Sequence, residues 1–296
     1  MKRRKVIGSI IIGIVFLIGC SFKNQNLKII ENVVWERDNK YSCFFDGVRH
    51  DFIVELPDNV RGAPLVVMLH GYGETAESFR KAVCFEEKAN PLGYAVVYVT
   101  GAANPNDSTS SIGWNSGLGE EGNNDVEFLV ALTEYLQKEY SLDKKRIFAV
   151  GFSNGAFMTH RLAMEAEDTF SACVSVAGMM PVSLWDKRKA LNEVSFFQIT
   201  GEKDNVVPKN IDGSAKYSNA PAIEDVIEYW AKSNGLEFEK LYGIGTEAVL
   251  SKYGSRNNKK QVWHLLIKEG YHSWPREEFN GIDANTIILE FLETQE

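Results

Sequence analysis

The sequence predicts an α/β fold, a mostly parallel central sheet with helices on both faces. Three observations carry that expectation. Short apolar runs rich in β-branched and aromatic residues recur from about residue 50 to the end, as strands buried on both faces of a parallel sheet require. Longer amphipathic stretches lie between them, and such alternation builds one sheet covered on both sides. At 296 residues and 44% apolar, the chain can bury a sizeable core without disulfide or metal staples. Neither an internal repeat nor an interdomain linker interrupts it.

Taken in order, strands are expected over Phe52–Leu56, Leu65–Leu69, Tyr94–Val99, Ile147–Val150, Ala172–Val176, Ser195–Thr200 and Val262–Ile267. Helices are expected over Ala76–Ala89, Val126–Glu139, Ala156–Glu165, Ile223–Ser233 and Ala284–Leu292. The segment from Val126 shows the helical period best, with Val126, Leu129, Val130, Leu132 and Leu136 on overlapping turns. Two stretches break the rhythm. Gly101 to Asn124 is a long polar loop rich in Gly, Asn and Ser, and loops of that length inside a domain are usually functional. It carries Trp114, which reads equally as a substrate contact or as a pin holding the loop to the body. Gly235 to Lys260 is charged, reads as irregular and shows no recognisable chemistry.

The N-terminus reads as an address. Lys2, Arg3, Arg4 and Lys5 precede an apolar run from Val6 to Ile18, shorter than the ~20 residues of a spanning helix and suited to the core of a secretory signal. The run ends Leu17-Ile18-Gly19-Cys20, which resembles the lipobox of bacterial lipoproteins. That resemblance implies a signal peptide over 1–19, diacylglyceryl attachment at Cys20, and an extracytoplasmic protein anchored to the cell membrane through lipid alone. Two acyl chains hold a protein stably where one is marginal. The expected organisation is then signal peptide 1–19, lipidated cysteine and tether 20–44, and one α/β domain over 45–296.

Thirty-two Lys and Arg stand against forty Asp and Glu, a net charge of −8. Taking the four N-terminal positive charges from the mature chain leaves −12, which argues against a nucleic-acid partner. Of the remaining cysteines, Cys173 lies in an apolar run and reads as a buried thiol, while a Cys43–Cys84 bridge stays open. No Cys/His spacing suits zinc; neither metal nor organic cofactor is expected. Oligomeric state is not legible.

The chemistry centres on Gly151-Phe152-Ser153-Asn154-Gly155. Alone, G-x-S-x-G is a weak signal. Here an apolar strand enters it and a helix leaves it, the context of a nucleophile elbow that pushes a serine Oγ out at the carboxyl edge of a sheet. A serine needs a base, and the base an orienting carboxylate, in the chain order Ser, acid, His. His50 and His70 precede the elbow, His160 lies on the helix after it and His264 inside a strand. His272 follows the Val262–Ile267 strand, where ligand-facing residues of open α/β sheets lie. It is the expected base. Asp204, just past Ser195–Thr200, is the expected acid, with Glu202 its nearest competitor. Oxyanion donors are expected from the backbone N–H of Asn154 and of Tyr72, the latter in His70-Gly71-Tyr72-Gly73 after Leu65–Leu69. His70 reads as a brace for that loop.

The ordered set LHGYGE, GWN, NDVEFL, GFSNGAFMTHRLA, VAGMM, TGEKDNVVP and YHSWP resembles the α/β-hydrolase esterases called polyhydroxybutyrate depolymerases and feruloyl esterases, from about residue 45 to the end. It departs from them at Thr200, where relatives often have His, and at Glu269, where they have Gly. The resemblance implies the α/β-hydrolase fold, a Ser153–Asp204–His272 triad, and a secreted carboxylic-ester hydrolase. Its substrates would be feruloyl or acetyl esters of plant polysaccharide, or hydroxyalkanoate esters, with Trp114 and Trp274 as candidate substrate contacts. The alternatives are a serine peptidase or acyltransferase using the same triad, or a surface lipoprotein that binds without catalysis.

Overall fold

A computed structural model describes residues 28–106, 109–118, 122–209, 220–256 and 258–295. Cys20 and the signal and tether residues through 27 lie outside the described residues. Eleven strands form one sheet. Along the chain they are β1 (Glu31–Arg37), β2 (Lys40–Phe45), β3 (Val48–Glu55), β4 (Leu65–Leu69), β5 (Ala95–Val99), then, after a small hairpin of β6 (Ala102–Ala103) and β7 (Ile112–Gly113), β8 (Ile147–Phe152), β9 (Ala172–Val176), β10 (Ser195–Gly201), β11 (Glu237–Ile244), β12 (Ala248–Ser255) and β13 (Asn258–Ile267). Their spatial order is β1-β2-β3-β5-β4-β8-β9-β10-β13-β12-β11. The six from β5 to β13 run parallel, and the strands outside them pair antiparallel.

Helices cover both faces, as the alternation predicts. Those of the chain are α1 (Ala76–Val83), α2 (Glu86–Ala89), α3 (Asp125–Tyr140), α4 (Asn154–Glu165), α5 (Val182–Trp185), α6 (Ile223–Ser233), α7 (Glu277–Asn280) and α8 (Ala284–Glu293). Period-2 alternation divides β4 between two cores. Val67 and Leu69 face the side holding Leu132 of α3, Met158 of α4 and Trp230 of α6; Val66 and Met68 face Phe79 of α1 and Ile288 of α8. The Trp230 ring stacks on Phe196 of β10 at 4.7 Å, so α6 is seated by a large aromatic pair rather than by aliphatic contacts alone.

Three expectations are corrected. The single helix Ala76–Ala89 breaks in two, because Cys84 takes a left-handed conformation (φ 46°) and its N–H closes α1 onto the Arg80 carbonyl. The stretch 235–260 is not irregular: β11 and β12 fold back as a hairpin that extends the sheet beyond β13. The domain boundary drawn at residue 45 moves back to about 31, because β1 and β2 are continuous with the sheet. Cys43 and Cys84 are both free thiols, the former buried.

Candidate active site

The site forms at the carboxyl ends of β4, β8, β10 and β13. Ser153 sits between β8 and α4 with φ 52° and ψ −114°, a backbone conformation that a side chain adopts only when its surroundings enforce it. The surroundings here are two glycines. A Cβ on Gly151 would stand 2.2 Å from the Gly155 carbonyl oxygen, and one on Gly155 would stand 2.2 Å from the Leu69 carbonyl oxygen. Strand, turn and helix therefore approach one another more closely than any side chain allows. The Ser153 N–H donates to the Val176 carbonyl at 3.0 Å, fixing the turn to β9.

Three side chains from three separate loops meet at this turn. His272 Nε2 lies 2.9 Å from Ser153 Oγ, and His272 Nδ1 lies 2.8 Å from Asp204 Oδ2. The second carboxylate oxygen of Asp204 accepts from the Val206 and Val207 N–H groups at 2.9 and 2.8 Å. Asp204 is almost wholly buried, whereas the His272 side chain keeps 16% of its surface. A carboxylate fixed by two backbone donors holds the Nδ1 hydrogen on its side and turns the Nε2 lone pair toward the serine. Glu202, the competitor for this place, is exposed.

The loop after β4 is braced as expected of His70. Its ring is fully buried, and burial pushes its pKa down to about 4, so the imidazole is neutral. Nε2 accepts from the Gly101 N–H at 2.9 Å; Nδ1, which must then carry the hydrogen, donates to the Gly71 carbonyl at 2.7 Å. Glu74, the last residue of the motif LHGYGE and given no role there, accepts from the Gly71 N–H at 2.8 Å. Gly73 N–H donates to Ile112 of β7 at 2.8 Å. Between these anchors lies Tyr72, whose ring and the Asn154 side chain both crowd Gly113, each 3.1 Å from where a Cβ would stand. Tyr72 and Asn154 thus meet at Gly113, and both line one cavity with Ser153.

That cavity encloses about 670 Å³ and is walled by Tyr72, Trp114, Phe152, Phe157, Leu118 and Val206 around Ser153 and His272. Trp114 is placed at the cavity and also pins the loop to the body. Its Nε1 donates to the His70 carbonyl at 3.0 Å while its backbone N–H donates to Asn154 Oδ1 at 2.7 Å. Trp274 is corrected. It does not line the cavity; it packs edge-on against Phe79 at 5.6 Å, and its Nε1 donates to Asn285 Oδ1 at 3.0 Å. Two residues past His272 the chain turns inward, so a near neighbour in sequence becomes core. His160 stacks on Phe196 at 4.4 Å, away from the nucleophile. No group of three or more His, Cys, Asp or Glu suited to a metal occurs among the described residues.

The geometry is that of a serine hydroxyl hydrogen-bonded to an imidazole, itself held by a buried carboxylate. The model of the prolyl oligopeptidase family matches residues 84–230. NocK of Nocardia uniformis subsp. tsuyamanensis, named as an esterase, is 26% identical over 242 residues, 74% of this chain and 67% of its own. Feruloyl esterase B of Talaromyces stipitatus is 26% identical over 43% of this chain and 35% of its own. Poly(3-hydroxyalkanoate) depolymerase C of Paucimonas lemoignei is 30% identical over 39% of this chain and 28% of its own. The chain thus spans only about a third of the length of these last two. Among solved structures, an acetyl xylan esterase from Aspergillus awamori superposes with a TM-score of 0.62 over 83% of this chain and 94% of its own, at 14% identity. The resemblance read from the motifs holds to this extent: the chain has the α/β-hydrolase fold and is similar in sequence to proteins named as esterases.

Proposed function

We propose that this protein is a serine carboxylic-ester hydrolase working through an acyl-enzyme, secreted and held at a membrane by lipid on Cys20. The observation that carries the catalytic reading is the unbroken line from Asp204 through His272 to Ser153, 2.8 and 2.9 Å, at the wall of a cavity. Ser153 Oγ attacks the ester carbonyl while His272 Nε2 takes its proton. The Tyr72 and Asn154 amides receive the developing oxyanion, each such donor being worth roughly 10²–10³ in rate. His272 returns the proton to the departing alkoxide, and the alcohol leaves. Water then attacks the acyl group with His272 again as base, regenerating Ser153. Asp204 stabilises the imidazolium without itself taking the proton.

Relatives named for feruloyl esters, acetylated xylan and hydroxyalkanoates support small acyl esters as substrates. The match to the prolyl oligopeptidase family favours one second reading, amide cleavage by the same triad. A panel of p-nitrophenyl acetate, methyl ferulate and a peptide anilide separates them. Ester turnover above anilide turnover, with fluorophosphonate labelling of the protein and loss of both in Ser153→Ala, is the expected result. Faster anilide cleavage would reverse the assignment, and labelling that survives in Ser153→Ala would remove the serine from it. The anchor rests on residues 1–20 alone: Cys20→Ala should release the protein from the membrane fraction, and retention would refute lipidation.

A further inference from the structure

The site carries a second carboxyl group that the triad does not use. Asp125, the first residue of α3, also lines the cavity and is 1% exposed. Its Oδ2 accepts from the Asn115 N–H at 2.6 Å. Its Oδ1 is buried and has no partner among the described residues. Buried carboxylate oxygens nearly always have donors, so this one stands out.

Asp125 is also fixed relative to the nucleophile. Asn154, next to Ser153, accepts from the Trp114 N–H at 2.7 Å, and the following amide, that of Asn115, is the one held by Asp125. Two consecutive N–H groups thus tie the serine turn and the Asp125 carboxyl to one strip of backbone. Besides its aromatic and aliphatic members, the wall carries the neutral polar residues Asn104, Ser111, Asn115 and Asn123 and the carboxyl of Glu74. The charged group whose field reaches Asp125 is Arg161 of α4, itself paired with Glu165 and donating to the Asn115 carbonyl. Burial nevertheless dominates and pushes the Asp125 pKa up to about 7.

We propose that Asp125 is a specificity-determining residue, whose free oxygen accepts a hydroxyl group of a polyhydroxylated ester substrate. The proposal rests on the ester-hydrolase reading above. An orphan acceptor beside the nucleophile selects a hydrogen-bond donor, and the donors that a neutral ester of a polyol carries are its hydroxyl groups. A site built to pair with a hydroxyl discriminates strongly against the analogue that lacks it, because the site's own polar group is then left unpaired.

The test compares mono-O-acetyl methyl β-xyloside with cyclohexyl acetate, six-membered rings with and without hydroxyls. In the full-length protein the ratio of kcat/KM values should favour the xyloside. Asp125→Asn keeps an acceptor for the Asn115 N–H but presents an amide donor in place of the free oxygen. The ratio should then fall by about tenfold or more. As pH rises through about 7, ionisation of Asp125 should raise the wild-type ratio, whereas the Asp125→Asn ratio should stay flat. Equal loss on both esters, leaving the ratio and its pH profile unchanged, would make Asp125 merely structural and overturn the proposal. Absence of hydrolysis of either ester by the wild-type protein would instead overturn the ester-hydrolase reading, and this proposal with it.

Discussion

The centre of the sheet and its margins obey different rules. Strands β4, β5, β9 and β10 are buried at every position, and the turns that carry Ser153 and Asp204 leave from this half. At the margins, β1 is almost wholly exposed and β11 likewise, with Trp35, Phe238 and Leu241 open to solvent. Chemistry sits where burial is complete, because a hydrogen-bond line needs a frame that cannot shift by even an ångström. The margins widen the sheet without touching the cavity.

The largest expected effect breaks that frame. In Gly155→Ala the new methyl meets the Leu69 carbonyl oxygen and carbon at 2.2 and 2.6 Å, backbone atoms that cannot rotate aside. A loss of more than about 3 kcal/mol, or failure to fold, is expected. Gly243→Ala on β11 meets nothing nearer than 3.9 Å and should leave stability unchanged or raise it slightly. Chemical denaturation of the two variants checks the contrast; similar midpoints would mean that the centre is no tighter than the edge.

An intermediate effect comes from acid. His50, His70 and His264 are buried with pKa values pushed down to about 4, and His160 to about 3. An unfolded imidazole binds its proton near pH 6.5, so from there down to about pH 4 the unfolded chain holds more protons than the native one. Stability is therefore full above pH 6.5 and falls as pH drops, by up to ~1.4 kcal/mol per unit for each histidine. Asp125 acts in the opposite direction. Its raised pKa penalises the native state increasingly as pH rises from about 4 to about 7, so acidification relieves that penalty. Four imidazoles outweigh one carboxyl, and the thermal midpoint should decline by several degrees between pH 6.5 and 4. A midpoint that rises or holds constant across that window would contradict the burial of these histidines.

The smallest effect belongs to the margin. Leu241 is 59% exposed, and Leu241→Ser should change stability by less than about 0.5 kcal/mol. A cost above 1 kcal/mol in differential scanning calorimetry would show that the β11–β12 hairpin is structurally coupled to the core.

The same contrast explains what the sequence made legible. Leu65–Leu69 and Ala172–Val176 were readable to the residue because double burial demands unbroken apolar runs. The elbow was readable because its glycines are imposed by backbone contact. Strands β1 and β11 have almost no buried face and hence no alternation to detect. Trp274 was misplaced because adjacency to His272 says nothing about which way the chain turns; the partner that claims its N–H is Asn285 on α8. Asp125 stands in the motif NDVEFL with no role assigned to it, because an acid at a helix start is ordinary chemistry. Its one available signal was an acid in Asn123-Asn124-Asp125, closing the polar loop that carries Trp114.

The hydrogen bonds of the site join residues 119 and 68 positions apart in the chain, and the brace behind them, Trp114 to His70, spans 44. None can form until distant strands have docked, and closing long loops is the slow part of folding. Recovery of a fluorophosphonate-reactive serine should therefore lag behind recovery of helix signal during refolding. The nucleophile is in effect a clock for the final step of the chain's assembly.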